Sequence, residues 1–334
     1  MTAAITPQTA ASHARILGVG AYRPARVVTN AEVVERIDSS DEWIRERSGI
    51  VERRVAARDE TVVDMSVAAA EKALAHAGIT PDQLGTVLIA TVTHMLQTPA
   101  AGPLVAQRIG ATNAAAFDIS AACAGFCHGV ALANDMVRSG TSAYVLVVGV
   151  EKLTQMIDPY DRSTAFLFGD GAGAVVIGPS DVPGIGPVVW GADGGQAQAI
   201  TQDAPWDLLK DDPTHKFPSL SMEGQTVFRW AVFQMAPVAQ KALEAAGVSV
   251  DDLDAFIPHQ ANLRIVEAMA KKLGIPEGVA IARDIIETGN TSAASIPLAM
   301  ARMLESGEVR SGGTALLIGF GAGLVYAAQV VTLP

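Results

Sequence analysis

Apolar and polar positions along this chain alternate between two kinds of segment. Short, almost uninterrupted apolar runs at 15–21, 86–93, 114–119, 143–150 and 172–177 read as strands. Between them lie segments whose apolar residues recur at three and four positions, the period of a helix face. These are 64–77, stopped by Gly78; 99–109; and a stretch after Ser120 in which Phe126, Val130, Ala133 and Val137 precede Gly140. Thr29-Asn30 reads as a helix cap, and 40–47 is a charged segment carrying Trp43. Strands this apolar leave no face for water, so the sheet they build is expected to be covered by helices on both sides. The expected fold class is α/β.

The pattern then repeats. The segment from Leu74 to Leu84, a helix end followed by a glycine stop and an acidic turn, recurs 169 positions on from Leu243 to Leu253. Each copy leads into an apolar strand, 87–89 in the first and 255–257 in the second. Arg138-Ser139-Gly140 pairs with Glu305-Ser306-Gly307 at an offset of 167, and 144–149 resembles 315–319. A duplication of this size predicts two similar α/β halves packed face to face, 15–180 and 181–334, behind a polar tail at 1–14. The piece at 191–225, rich in Asp and Pro, is expected to be irregular surface.

Candidate chemistry gathers where the first half turns from strand to helix. Cys123 stands at a predicted helix N-terminus, where unpaired N–H groups and the helix dipole favour the thiolate. Ala121, Ala122, Ala124 and Gly125 leave room for a ligand to reach the sulfur. A buried structural cysteine fits the same position equally well. Cys127, one turn on, reads as ordinary packing, and the i, i+4 spacing is poor geometry for a disulfide. At the offset of 167, Cys123 corresponds to Asn290 in a similar corner of the second half, and His259 follows directly on another strand. Ligands of α/β sheets gather at the carboxyl ends of strands, so the duplication could bring Cys123, His259 and Asn290 to one pocket. Taken singly, His259 also reads as a structural histidine and Asn290 as a turn residue.

Bulk properties narrow the classes. The chain has 334 residues, 49% hydrophobic and 18% charged, the profile of a globular protein. A net charge of −11 argues against general nucleic-acid binding. No apolar run reaches membrane length, and 1–14 lacks the layout of a signal peptide. With two cysteines and no sorting signal, a reducing, cytoplasmic setting is expected. His13, His76, His94, His128 and His215 show no metal-ligand spacing, so no zinc site is expected.

Several motifs together resemble one family. The segments 118–126, 259–264 and 289–295, with 40–50, 168–173 and 319–323, are similar to the β-ketoacyl-acyl carrier protein synthase III family, in consistent order from about residue 15 to the C-terminus. The resemblance implies a thiolase-like fold in which the duplicated halves pack as α-β-α-β-α layers. It also implies a decarboxylating condensation without a cofactor. Cys123 would be acylated by an acyl-CoA, and malonyl-acyl carrier protein would then lose CO2 and attack the acyl group. His259 and Asn290 would hydrogen-bond the malonyl thioester oxygen as it becomes an enolate. The N–H groups of Cys123 and Ala322 would form a second oxyanion site, at a position where relatives often have Gly for Ala322. For CoA the resemblance points to Trp43 against the adenine, Arg47 and Arg162 at the nucleotide and its phosphates, and Phe228 and Asn262 along the pantetheine. Arg264, Lys271 and Lys272 share one side of the helix after His259, a basic face that reads as plain solvated surface or as a dock for an acidic carrier protein. In a homodimer, the loop bearing Met95, Leu96 and Thr98 would cap the partner subunit's acyl pocket. Thr98 stands where some relatives carry Phe, which predicts room for primers larger than acetyl.

Three other readings compete. One is a priming ketosynthase that selects a starter unit in a polyketide pathway, with the same catalytic residues. Another is an enzyme similar to hydroxymethylglutaryl-CoA synthase, which wants a Glu acid near the Cys–His pair; the Gly-rich loops offer none. The third is an inactive carrier-protein-binding scaffold, disfavoured because all three reactive residues are present.

Overall fold

The computed structural model describes residues 10–334. Most of the expected tail at 1–14 lies outside the described residues, and the first strand opens two residues earlier than expected. In chain order the first strands are β1 (His13–Tyr22), β2 (Arg26–Thr29), β3 (Glu52–Val55), β4 (Thr86–Ala90), β5 (Ala115–Ile119), β6 (Val145–Lys152) and β7 (Asp170–Ser180). They are followed by β8 (Val189–Gly191), β9 (Ile200–Gln202), β10 (Leu220–Met222), β11 (Ala255–Pro258), β12 (Ala280–Ile281), β13 (Thr314–Gly321) and β14 (Val325–Thr332).

Two five-stranded sheets carry the fold, in the orders β1-β7-β6-β4-β5 and β8-β14-β13-β11-β12. Each is parallel through its three strands at one end and antiparallel at the other, so the second sheet repeats the first strand for strand. The helices Gly125–Ser139 and Ser295–Glu305 lie between the sheets, sharing one core with residues of both, among them Val147, Val175, Ile257 and Leu317. The helices Val62–Ala77 and Ala101–Ile109 cover the outer face of the first sheet, and Gly224–Ala246 and Leu263–Leu273 that of the second. This is the α-β-α-β-α layering of a thiolase-like fold. Strands such as β4 and β6, buried along their whole length and apolar apart from Thr86, Glu151 and Lys152 at their ends, are its direct consequence.

Local departures from the sequence reading have physical causes. The apolar run at 86–93 is a strand only to Ala90, because the Thr91 and Thr93 hydroxyls and the Val92 N–H turn to the Glu151 carboxylate. The helix expected at 99–109 begins at Ala101, where the Asp118 carboxylate accepts the N–H groups of Ala101 and Gly102 at 2.8 and 2.7 Å. The stretch 191–225 is not simply irregular: β9 and β10 pair, and Ile200, Leu220 and Met222 form a wall of the main pocket. The duplication also shifts register at the corners. The turn Ala122–Ala124 before one central helix matches the turn Ser292–Ala294 before the other, an offset of 170. Ser292 therefore answers to Ala122, and Asn290 to Ser120 rather than to Cys123.

Candidate active site

A pocket of about 600 Å³ opens between the two halves, with Cys123, His259 and Asn290 among its walls. Cys123 arrives in the short turn after β5, and the helix Gly125–Ser139 runs away behind it. The tip of β13 closes on its other side. A Cβ added to Gly321 would stand 2.8 Å from the Cys123 nitrogen and 3.0 Å from its sulfur, so only glycine lets Ala322 follow so close to the thiol. Among the described residues three non-glycine residues have left-handed backbone, Ala122 (φ 44°), Ser292 (φ 49°) and Leu324 (φ 43°); the first two line this pocket, and Leu324 ends the turn that begins at Ala322. Strain of this kind persists only where surrounding packing enforces it. Ala322 is not among them, so Ala in place of Gly there carries no left-handed strain.

His259 follows β11 and is buried, its ring edge-on to Phe320 with centroids 5.4 Å apart. Burial pushes its pKa down to about 3, which keeps the imidazole neutral. Its Nδ1 lies 2.7 Å from Ser295 Oγ, and that oxygen also accepts the Gln260 N–H at 3.3 Å. With the Ser295 hydroxyl proton directed to Nδ1, the ring carries its own proton on Nε2. Asn290 is fixed by main-chain bonds to Leu167 and Gly169, and its Oδ1 accepts the Ser292 N–H at 2.8 Å. Its amide nitrogen remains as the donor end.

The Cys123 side chain is half-buried at the pocket floor, and desolvation raises its thiol, up to about 12, against the pull that the helix end exerts towards a thiolate. Cys127 is buried beneath the turn, as ordinary packing requires.

Towards the mouth, Ser40 caps the helix Asp41–Ser48 by accepting the Trp43 N–H at 3.1 Å, which places Trp43 in its first turn. The indole lies edge-on to Phe166, and the Arg162 and Arg47 guanidinium carbons stand 4.8 and 5.9 Å from its ring centre. Arg162 touches Trp43 without lining the pocket itself. Asn262 caps the next helix through the Arg264 N–H at 2.9 Å and donates to the Arg47 carbonyl at 3.0 Å. Arg264 lies 5.5 Å from the Phe228 ring centre, at the rim. Lys271 and Lys272 are exposed two turns on, about 10 Å further along the helix axis. Met95, Leu96 and Thr98 are exposed and outside their own chain's pocket.

Sequence reasoning missed Ser295, Phe320, Ser292 and Glu151. Glu151 had one signal, a charge at the end of the apolar run 143–150. It stands in strand β6 rather than in the Gly-rich loops, and it lies behind the pocket wall rather than in it.

Residues 117–194 match the 3-oxoacyl-[acyl-carrier-protein] synthase III family, and 243–333 match its C-terminal domain. The chain is 60% identical over 330 residues to the β-ketoacyl-[acyl-carrier-protein] synthase III of Streptomyces glaucescens, covering 99% of both chains. The chain belongs to this family. It is an enzyme, a ketosynthase of the acyltransferase class, and its reaction is the decarboxylative condensation that joins a primer acyl group to a malonyl unit. A second synthase III, from Streptomyces coelicolor, is also 60% identical, over 340 residues and 99% of each chain. Among solved structures, the priming β-ketosynthase of the R1128 polyketide pathway superposes with a TM-score of 0.97 at 52% identity, covering 100% of this chain and 99% of that one. The Aquifex aeolicus synthase III does so with a TM-score of 0.89 at 38% identity, covering 96% and 99%.

Proposed function

We propose that Cys123, His259 and Asn290 make a β-ketoacyl-carrier protein from a primer acyl-CoA and malonyl-acyl carrier protein, releasing CoA and CO2. The observation that carries this reading is convergence. A nucleophile from the first half (15–180) and two hydrogen-bond donors from the second (181–334) share one pocket floor. In the first half-reaction the Cys123 sulfur attacks the acyl thioester, and the N–H groups of Cys123 and Ala322 receive the oxyanion. In the second, His259 Nε2–H and the Asn290 amide hold the malonyl thioester oxygen. The C–CO2 bond breaks, the enolate carbon attacks the acyl group, and the Cys123 sulfur leaves. Both donors must be neutral yet proton-bearing, which is the state that burial enforces on His259.

Around that centre, Trp43 flanked by Arg47 and Arg162 suits an adenine and its phosphates, since guanidinium groups pair with both rings and anions. Phe228 and Asn262 line the pantetheine path, and Arg264, Lys271 and Lys272 offer a cationic dock on an otherwise acidic chain. The thioesters are substrates, and the chemistry needs no cofactor; among the described residues no His, Cys, Asp and Glu group could hold a metal. The working form is a homodimer. β5 is an open sheet edge, and exposed Phe117, Met95 and Leu96 lie on it and on the loop after β4. Among the described residues no helix is long and apolar enough to cross a membrane. The setting proposed for the enzyme is the cytoplasm, where a reducing environment keeps the Cys123 thiol free for acylation.

Initiation of fatty acid synthesis is the first reading. Priming of a polyketide pathway is the second, supported by the likeness to the R1128 enzyme. Genome neighbourhood separates the two, and acyl-CoA primers of graded size, supplied with malonyl-carrier protein and read by product mass, show which primers the enzyme takes. Cys123→Ala should lose the acyl adduct on the intact protein while Cys127→Ala keeps it. An adduct surviving in Cys123→Ala refutes the assignment.

A further inference from the structure

One buried cation takes no part in the chemistry described so far. Arg53, in β3, is 2% exposed and lies outside the pocket, yet its hydrogen bonds lead to the nucleotide end of it. Nη1 donates to the Val28 carbonyl of β2 at 3.0 Å. Nη2 donates to the Phe166 carbonyl at 2.8 Å and to Asn30 Oδ1 at 2.7 Å. All three acceptors are neutral. Burial lowers the Arg53 pKa to about 10, which still leaves the guanidinium charged at neutral pH. A buried charge held by neutral groups is costly, and an apolar side chain of like volume would serve packing as well.

Asn30 passes the hold onward. Arg53 can only donate, so it fixes which end of the Asn30 amide faces it. The other end, Nδ2, then donates to Asp41 Oδ1 at 2.7 Å and to the Ile50 carbonyl at 2.8 Å. Asp41 opens the helix Asp41–Ser48, which carries Trp43 and Arg47. The Phe166 ring meets the Trp43 indole edge-on, so the contacts close a loop from the Phe166 carbonyl through Arg53, Asn30 and Asp41 back to Phe166. Arg162 belongs to the Phe166 side of that loop. The turn between them is tied by the Ala165 N–H on the Asp161 carbonyl and the Leu167 N–H on the Thr164 carbonyl.

We propose that Arg53 is a positioning residue for the nucleotide end of the acyl donor, locking the segment of Arg162 and Phe166 to the helix of Trp43 and Arg47. The two segments are more than a hundred residues apart in the chain, and Arg47 and Arg162 are exposed. With the spacing fixed beforehand, an adenine and its phosphates meet an indole and two guanidinium groups already in place. Without it, each binding event would have to order both segments, and affinity would fall by that amount.

The inference rests on Trp43, Arg47 and Arg162 being the nucleotide site proposed above, and its test needs no catalysis. CoA is titrated calorimetrically into the full-length protein. Arg53→Met should raise the Kd for CoA by about 10-fold, the lower end of what a lost hydrogen bond to a charged group is worth. Arg53→Lys keeps the charge but lacks the planar fork that bridges Phe166 and Asn30, so its Kd should fall between. Acylation of Cys123 by an acyl-pantetheine, which has no nucleotide, should keep its wild-type rate in both variants. An unchanged Kd overturns the proposal. So does a parallel loss with acyl-pantetheine, because Arg53 would then brace the fold as a whole. If Arg53→Met does not fold, Arg53→Lys decides, and a wild-type Kd there is equally fatal. Wild-type protein that binds CoA no better than pantetheine would refute the nucleotide site and this inference with it. The acyl adduct on Cys123 tests the catalytic assignment separately.

Discussion

At the scale of single residues, burial decides protonation. His259 has an ordinary value of 6.5 and is pushed down to about 3 in the fold, so it remains neutral throughout the working range. The unfolded chain binds that proton more readily, so the stability this site contributes is present above pH 6.5 and declines as pH falls below it. NMR of the ring nitrogens should show the neutral, Nε2-protonated tautomer down to pH 5; a cationic ring at pH 6 would remove the basis for its role. His259→Ala and Asn290→Ala should still acquire an acyl group at Cys123. Each should lose decarboxylation by about 10²–10³-fold, the usual penalty for one oxyanion donor. Release of labelled CO2 from malonyl-carrier protein measures this, and undiminished release from both variants would mean the donors are assigned wrongly.

At the scale of elements, the helix Leu263–Leu273 serves two purposes. Its inner face, Ile265, Val266, Met269 and Ala270, packs into the fold, and its first turn reaches the pocket through Asn262 and Arg264. Its outer side presents Arg264, Lys271 and Lys272. Long-range attraction speeds encounter with an acidic partner and fades with salt. Charge reversal at Lys271 with Lys272 should therefore raise KM for malonyl-carrier protein and flatten its salt dependence, leaving acylation by acyl-CoA nearly unchanged. Equal losses in both half-reactions would point to damage in the pocket instead. Lys272 also touches Phe233, with Nζ 4.6 Å from the ring centre, so a Lys271 reversal alone is the cleaner control.

At the scale of the whole molecule, β5 is an open sheet edge and the loop 95–99 is exposed, the two features that the proposed dimer would cover. An isologous dimer that buries both would seat Thr98 in the partner subunit's acyl pocket. Thr98→Phe adds a ring there, and overpacking of that kind costs about 1–3 kcal/mol. The ratio of kcat/KM for branched or longer primers over acetyl-CoA should fall by roughly 5- to 150-fold, the rate equivalent of that energy. An unchanged ratio, or a monomer by light scattering at assay concentration, would take Thr98 out of the pocket.

Much of this was legible along the chain. Apolar runs without a polar face required a sheet covered on both sides, and the repeat from Leu74 in the segment at Leu243 required two like halves. The motifs around Cys123, His259 and Asn290 carried the family. Those features are local or periodic, and local pattern is what a sequence states directly. The corner register was not legible, because an offset of 167 taken from flanking segments hides the three-residue shift that aligns Ser292 with Ala122. Nor was the protonation of the site. Helix-end position argued for a thiolate, while only tertiary packing showed the burial that opposes it. Glu151 read as the end of a strand until folding set the Thr91–Thr93 turn and Ser292 around its carboxylate. Desolvation depends on everything that surrounds a group, and its surroundings come together only when distant segments meet.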